Sequence, residues 1–274
     1  MTPRSASSGG RRTVAALGRW APPVGVLVAL VGIWHLWVRV GDVRPWIVPA
    51  PGSVWRALTE SRGALYSNSL TTLTEAVAGL ALGTVAGLAV ALAISLVPSV
   101  RRAIWPLVVT SQTVPIIVLA PLVAIWFGYG LTPKIVLVAL ICFFPVAVAT
   151  VAGIAGADPE HVELVRSFGA SRWDVLRHVR IPASMGSVVA GVRIAAAYAV
   201  GNAVIGEYVG GTSGLGIFID QAHRSYRTDR MLAGVVVIAL VSIVLFALVG
   251  WIGRLLMPWR RDRPSGEDQI GFEL

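Results

Sequence analysis

Cysteine and lysine each occur only once among the 274 residues. A single thiol, Cys142, cannot form an intramolecular disulfide or a multi-cysteine metal site. The phosphate-binding loop of P-loop ATPases reads Gly-x-x-x-x-Gly-Lys-Ser/Thr, and Lys134 follows Pro133 in no such context. The four histidines are far apart and lack the His-Glu-x-x-His zinc pattern. We therefore expect no catalytic residue, metal or cofactor in this chain. If the protein depends on ATP hydrolysis, we expect the ATPase to be another polypeptide.

Charge is also scarce, at 14% of residues against about 25% in ordinary globular domains, while 55% of residues are hydrophobic. Long apolar runs of this composition predict an all-α, polytopic transmembrane helical bundle of about six spans. The third run contains three prolines, so we expect it to be kinked. The predicted spans are Ala21–Val38, Leu70–Val97, Ala103–Phe127, Ile135–Ala157, Met185–Val209 and Met231–Trp251.

Arginines outside these runs define the ends and the orientation of the chain. Residues 1–20 are rich in Ser, Gly and Arg and are predicted to be a disordered basic tail. Residues 21–259 form the predicted membrane domain, and residues 260–274 form a second tail. The predicted inner segments carry more arginine than the outer ones when both termini are cytoplasmic, as the positive-inside rule requires. This rule explains the net charge of +9 better than nucleic-acid binding does.

A polar, arginine-rich loop, residues 157–184, separates the fourth and fifth predicted spans. Asp158-Pro159 is a typical helix start, and Gly169 can close that helix in the left-handed conformation. Ser171 has the spacing of a capping box and begins a second helix, which we expect to end at Pro182. The sequence thus predicts a helix–turn–helix, which either a docking surface or an ordinary connection would explain.

The spacing in this loop resembles the cytoplasmic loop of ABC importer permeases, which reads Glu-Ala-Ala, three residues, Gly, nine residues, Ile-x-Leu-Pro. Glu163, Gly169 and Pro182 match at the required distances, whereas Leu164 and Val165 replace the two alanines. The resemblance implies a type I ABC importer permease fold and an ATPase subunit that docks on the loop. It assigns this contact to Glu163, Arg166, Phe168, Gly169, Ala170, Ser171 and Pro182.

Two further segments resemble the nitrate/sulfonate/taurine branch of these permeases. They are the Pro-x-Pro-x-x-Val segment within 48–58 and Glu207 followed by Gly214-Leu215-Gly216. Ser111–Pro115, Ala120–Gly130 and Cys142–Pro145 resemble the subset that serves thiamine pyrimidine precursors and riboflavin. This resemblance implies an imported thiamine pyrimidine precursor or a related heterocycle, with aliphatic sulfonate, taurine or nitrate as the alternative.

Polar and small residues inside the spans are the remaining candidates. Gln112, Thr113, Asn202 and Glu207 are candidates for the solute pathway, with packing against other helices as the alternative. Glycines repeat every four residues at 79, 83 and 87; we interpret this as close helix packing within the chain, with a dimer interface as the alternative. We expect Glu207 to lie near the outer membrane boundary, where water lowers the cost of a charge.

The resemblance also implies partners and a location. It implies a second permease copy (a homodimer), two ATPase subunits that bind ATP-Mg, and an extracytoplasmic solute-binding protein, in a bacterial inner membrane. A different class of protein, an ion-coupled secondary transporter, would use Glu75 or Glu207 as its coupling carboxylate. That class gives no reason for a doubly capped helix pair in one loop.

Overall fold

The computed structural model describes residues 9–258, with the side chains of residues 22–258 except those of residues 98 and 112. All regular structure in this range is helical, as predicted. The helices are α1 Gly9–Val40, α2 Pro51–Glu60, α3 Arg62–Leu96, α4 Pro98–Thr110, α5 Ile116–Phe127, α6 Leu131–Ala155, α7 Pro159–Ser167, α8 Arg172–Val175, α9 Ile181–Gly210, α10 Leu215–Arg224 and α11 Thr228–Leu256.

Five stretches of residues 9–258 are long and apolar enough to cross a membrane, one fewer than the approximate number predicted. They are Pro22–Val40, Arg62–Leu96, Leu131–Ala155, Arg172–Gly210 and Thr228–Leu256. The missing one is the third predicted span. α1 begins at Gly9, so it includes part of the segment predicted to be a disordered basic tail. Residues 1–8 of that tail and the whole second tail, residues 260–274, lie outside the described residues.

The third predicted span is not one kinked helix but two helices, α4 and α5. A short 3-10 turn, Ser111–Thr113, follows α4, and Val114 is extended, with φ −86° and ψ 117°. Pro115 disfavours the helical conformation of the residue before it and donates no backbone hydrogen bond. The chain therefore leaves the helix at Val114 and begins α5 at Ile116.

The chain forms two compact units. One contains the described residues up to Arg62 together with Ala222–Ala233, and the other contains Gly63–Gln221 and the described residues from Gly234. In the first unit, Val54 and Ala57 of α2 pack with Ala233 and with the partly buried Trp34. Ala50 precedes α2 as its cap residue, and Pro51 takes the first helical position.

The second unit is built on close packing of α3 and α9 against α6. A Cβ atom on Gly83 would lie 2.6 Å from the carbonyl oxygen of Ala139, and one on Gly87 would lie 2.8 Å from that of Phe143. A Cβ on Gly79 would overlap Val138. Only glycine permits backbones to approach this closely, so the interpretation of these glycines as packing within the chain is confirmed.

Candidate functional sites

The loop at residues 157–184 folds as the predicted helix–turn–helix, which we call the loop hairpin. The Asp158 carboxylate accepts a hydrogen bond from the Glu160 N–H at 2.9 Å and caps α7. This bond, together with the nearby His161 ring, lowers the pKa of Asp158. Gly169 has φ +82°. The Ala170 N–H bonds to Val165 O and the Gly169 N–H to Arg166 O, which is the Schellman pattern of helix closure.

The second helix of the hairpin starts at the predicted capping box. Ser171 Oγ accepts from the Asp174 N–H at 3.2 Å, and Asp174 Oδ2 accepts from the Ser171 N–H at 3.0 Å. The prediction that this helix ends at Pro182 is wrong, because the helix continues without a break from Arg172 to Gly210. A π-helical turn, Leu176–Arg180, precedes the proline. Such a wider turn accommodates a residue that cannot donate the usual i→i−4 bond.

An apolar interior fixes the angle of the hairpin and leaves aromatic side chains outside. Ala157, Val162 and Val175 form a buried cluster on which Val165 and Ala170 pack. Phe168 is 81% exposed at the turn, and the hairpin surface also carries Leu164 and Trp173. Glu163, Arg166, Phe168, Gly169, Ser171 and Pro182 are all exposed, whereas Ala170 is half-buried.

A cavity of about 620 Å³ lies between the 3-10 turn, α5, α6 and α9. Phe143 and Phe144 of α6 line it together with Tyr198 and Asn202 of α9. Asn202 Nδ2 donates to Tyr198 O at 2.8 Å, so its amide oxygen is available to another donor. No arginine or lysine is among the described lining side chains. The cavity is therefore suited to a flat, uncharged or weakly polar solute.

Of the predicted pathway residues whose side chains are described, Asn202 alone lines this cavity. Thr113 Oγ1 bonds to Thr110 O at 2.8 Å, next to the cavity-lining Ser111. Gln112 lies in the 3-10 turn, and its side chain lies outside the described residues. Glu207 is fully buried among other polar groups and does not line the cavity.

Glu207 belongs to a buried polar cluster that sequence analysis did not predict. Its carboxylate accepts from Thr72 Oγ1 at 2.6 Å and from the Gly216 N–H at 2.5 Å. In the same cluster Lys134 Nζ lies 2.7 Å from Glu75 Oε1. Lys134 is thus a buried residue of α6, and Glu207, contrary to the expectation, is not exposed to water. One signal was available: the single lysine begins an apolar run, and such a charge requires a partner.

Comparison with known proteins identifies the family. Residues 79–262, more than half of the chain, match the model of the "binding-protein-dependent transport system inner membrane component". The chain belongs to this family. It is therefore the permease subunit of an ABC importer, and the resemblance found in the loop is confirmed.

Relatives of this permease have substrates in their names. It is 34% identical over 241 residues to the riboflavin transport system permease protein of Chloroflexus aurantiacus, covering 86% of this chain and 89% of the relative. It is 31% identical over 242 residues to the formylaminopyrimidine transport permease protein of Halalkalibacterium halodurans, covering 88% and 96%. Both fall in the subset that the sequence indicated.

The fold is shared with a solved transporter. The inward-facing structure of the MetNI methionine ABC transporter matches the permease with a TM-score of 0.64 and 20% identity, over 72% of this chain and 98% of that chain. At this identity the likeness shows the fold alone. The predicted type I ABC importer permease fold is confirmed.

Proposed function

We propose that this permease imports a thiamine pyrimidine precursor or a related heterocycle through the cavity at Asn202. The observation that carries the proposal is the lining of that cavity, which combines Phe143, Phe144 and Tyr198 with one amide and lacks a described cationic side chain. Aromatic faces stack on planar rings, and a single amide selects their polar edges. A sulfonate, taurine or nitrate anion would require a cation or several N–H donors. The names of the two relatives support the same substrate class.

We further propose that a separate ATPase subunit, which binds ATP-Mg, docks on the loop hairpin. Phe168 and Leu164 are exposed apolar groups on a segment whose conformation is fixed by two caps. The hairpin can therefore pass a movement of the ATPase on to the permease without unfolding. Two permease copies would then form one pathway, with two ATPases inside and a solute-binding protein outside. Both termini lie in the cytoplasm in this arrangement, which places the hairpin on the ATPase side.

Docking can be tested by crosslinking. A cysteine at the exposed Ser167 is expected to crosslink to the ATPase subunit in membranes, with a yield that changes when ATP is added. The native Cys142 is buried and gives little background. Ser67, exposed near the start of α3, provides the control position and should give no such crosslink. An intact complex in which Ser167→Cys crosslinks no better than Ser67→Cys would contradict docking at the hairpin.

The solute can be tested by uptake in cells that express the permease with its genomic partners. Labelled formylaminopyrimidine or riboflavin should accumulate, and labelled taurine should not. Asn202→Leu removes the amide and should lower uptake about tenfold, the equivalent of one hydrogen bond of roughly 1.4 kcal/mol. Ser242→Ala is the control, because the hydrogen bond of Ser242 Oγ, to Ile238 O, lies within its own helix. Uptake of taurine alone would contradict the proposed solute and leave the permease assignment unchanged.

A further inference from the structure

The buried polar cluster joins three helices of the permease through ionisable side chains. Glu75 of α3, Lys134 of α6 and Glu207 of α9 are each at most 5% exposed. Lys134 donates to Glu75 Oε1, while Glu207 accepts from the Thr72 hydroxyl and the Gly216 N–H. The carboxyl groups of Glu75 and Glu207 lie near enough to each other to interact. The cluster therefore holds two acidic groups against a single ammonium group.

Two charged carboxylates would not be stable in this place. The charged groups that act on Glu75 from the helices packed around it are Lys134 and Glu207. With both carboxylates ionised, the site would carry a net negative charge away from water, and the two like charges would repel each other. A single bound proton removes both costs.

One oxygen atom of the cluster lacks a hydrogen-bond partner in the described part of the chain. Glu75 Oε2 is buried and has no hydrogen-bond partner among the described residues, although the other Glu75 oxygen and both Glu207 oxygens each accept a bond. A protonated carboxyl group gains an O–H donor, which an ionised one lacks. Glu207, which accepts from a hydroxyl and an amide, is already stabilised as the anion.

We propose that Glu75 and Glu207 form a proton-binding site in which one resident proton sits on Glu75 Oε2 and is donated to Glu207. The chain of bonds then runs from the Lys134 ammonium through neutral Glu75 to the Glu207 carboxylate, and its net charge is zero. None of these residues lines the cavity at Asn202, so the proton-binding site is separate from the proposed solute pathway. The inference does not depend on which solute is imported.

The proton-binding site also holds the glycine-rich segment that follows α9. The Gly214 N–H donates to Asn68 Oδ1 at 2.7 Å, and the Leu215 N–H donates to Thr72 Oγ1 at 2.9 Å. A Cβ atom at Gly214 would overlap the Glu207 carboxylate. The segment is thus fitted onto the Glu207 anion. The Lys134 ammonium balances this charge as long as the proton keeps Glu75 neutral, so loss of the proton should release the segment from α3.

The proton itself can be observed by infrared spectroscopy of the purified permease complex. Wild type should show the C=O band of a protonated carboxylic acid, shifted in D₂O. Glu75→Gln should remove this band, and Glu60→Gln, at an exposed carboxylate of α2, should keep it. Absence of the band in wild type at neutral pH, or its persistence in Glu75→Gln, would overturn the proposal.

Two isosteric variants test the placement of the proton. Glu75→Gln reproduces the neutral acid, since the carbonyl of the new side chain accepts from Lys134 and its amide donates to Glu207. This variant should therefore keep the wild-type melting temperature and uptake. Glu207→Gln turns an NH₂ group toward either Thr72 or Gly216, which are both donors. This variant should therefore lower both the melting temperature and the uptake by a measurable amount. An equal loss of melting temperature and uptake in the two variants would show that Glu75 must ionise. A loss in Glu75→Gln with wild-type values in Glu207→Gln would place the proton on Glu207. Either result overturns the assignment.

Discussion

Replacing Gly169 with valine is expected to abolish uptake while the permease still accumulates in the membrane at close to the wild-type level. Gly169 has φ +82°, and nothing lies within 4 Å of the position of a Cβ atom there. The cost therefore comes from the backbone and not from a clash: about 1–2 kcal/mol for a β-branched residue in the left-handed region. Loss of this conformation opens the Schellman closure and changes the angle between α7 and the helix that begins at Arg172. Uptake, membrane abundance and co-purified ATPase should be measured together.

Two variants separate the backbone conformation from side-chain volume at this turn. Asparagine tolerates the left-handed region, so Gly169→Asn should retain much of the uptake although it adds a side chain. Gly63→Val adds the same valine at a position that also has no neighbour within 4 Å, and its φ is not in the left-handed region. Normal uptake by Gly169→Val with the ATPase bound would show that the hairpin is not the coupling element.

Local signals explain why the loop hairpin could be predicted in detail. Asp158, Gly169 and Ser171 determine their helix ends through bonds that span two to five residues, so the sequence alone contains the information. The same local reasoning fails at Pro182, because a proline inside a helix is compatible with continuation when a π turn precedes it. The sequence predicts only a kink in the third run for a related reason. It does not reveal that, of the three prolines there, only Pro115 follows a residue in extended conformation.

Partners that are distant in sequence explain what could not be predicted. Lys134 and Glu75 are 59 residues apart, and Thr72 and Glu207 are 135 apart. No periodicity in a single sequence indicates which buried charged residue will contact which partner. Asn202 and Glu207 illustrate the same limit within one helix. Both are polar residues of α9, but Asn202 lines the cavity, while Glu207 binds the segment after the helix.

The largest effect on folding is expected from leucine at Gly83. A Cβ atom there would lie 2.6 Å from Ala139 O and 2.9 Å from Cys142 Cβ, and the nearest obstacle is backbone, which cannot rotate away as a side chain can. α3 and α6 would have to separate along the glycine stripe, which also weakens the contacts at Gly79 and Gly87. Overpacking of a core typically costs about 1–3 kcal/mol, and a backbone clash in a helix interface falls at the upper end or beyond. We therefore expect Gly83→Leu to lower the melting temperature of the purified permease by several degrees and to reduce its amount in membranes severalfold.

The control for this experiment is Gly32→Leu. Gly32 lies in α1 and has nothing within 4 Å of a Cβ position, so the same added volume meets no protein atom. It also lies in one of the helices able to span a membrane, so both variants add equal hydrophobicity to a span. Membrane abundance and melting temperature of Gly32→Leu should match wild type. If Gly83→Leu accumulates and melts as Gly32→Leu does, α3 and α6 do not approach as closely as described. The glycines at 79, 83 and 87 would then have to serve a contact between two permease copies instead.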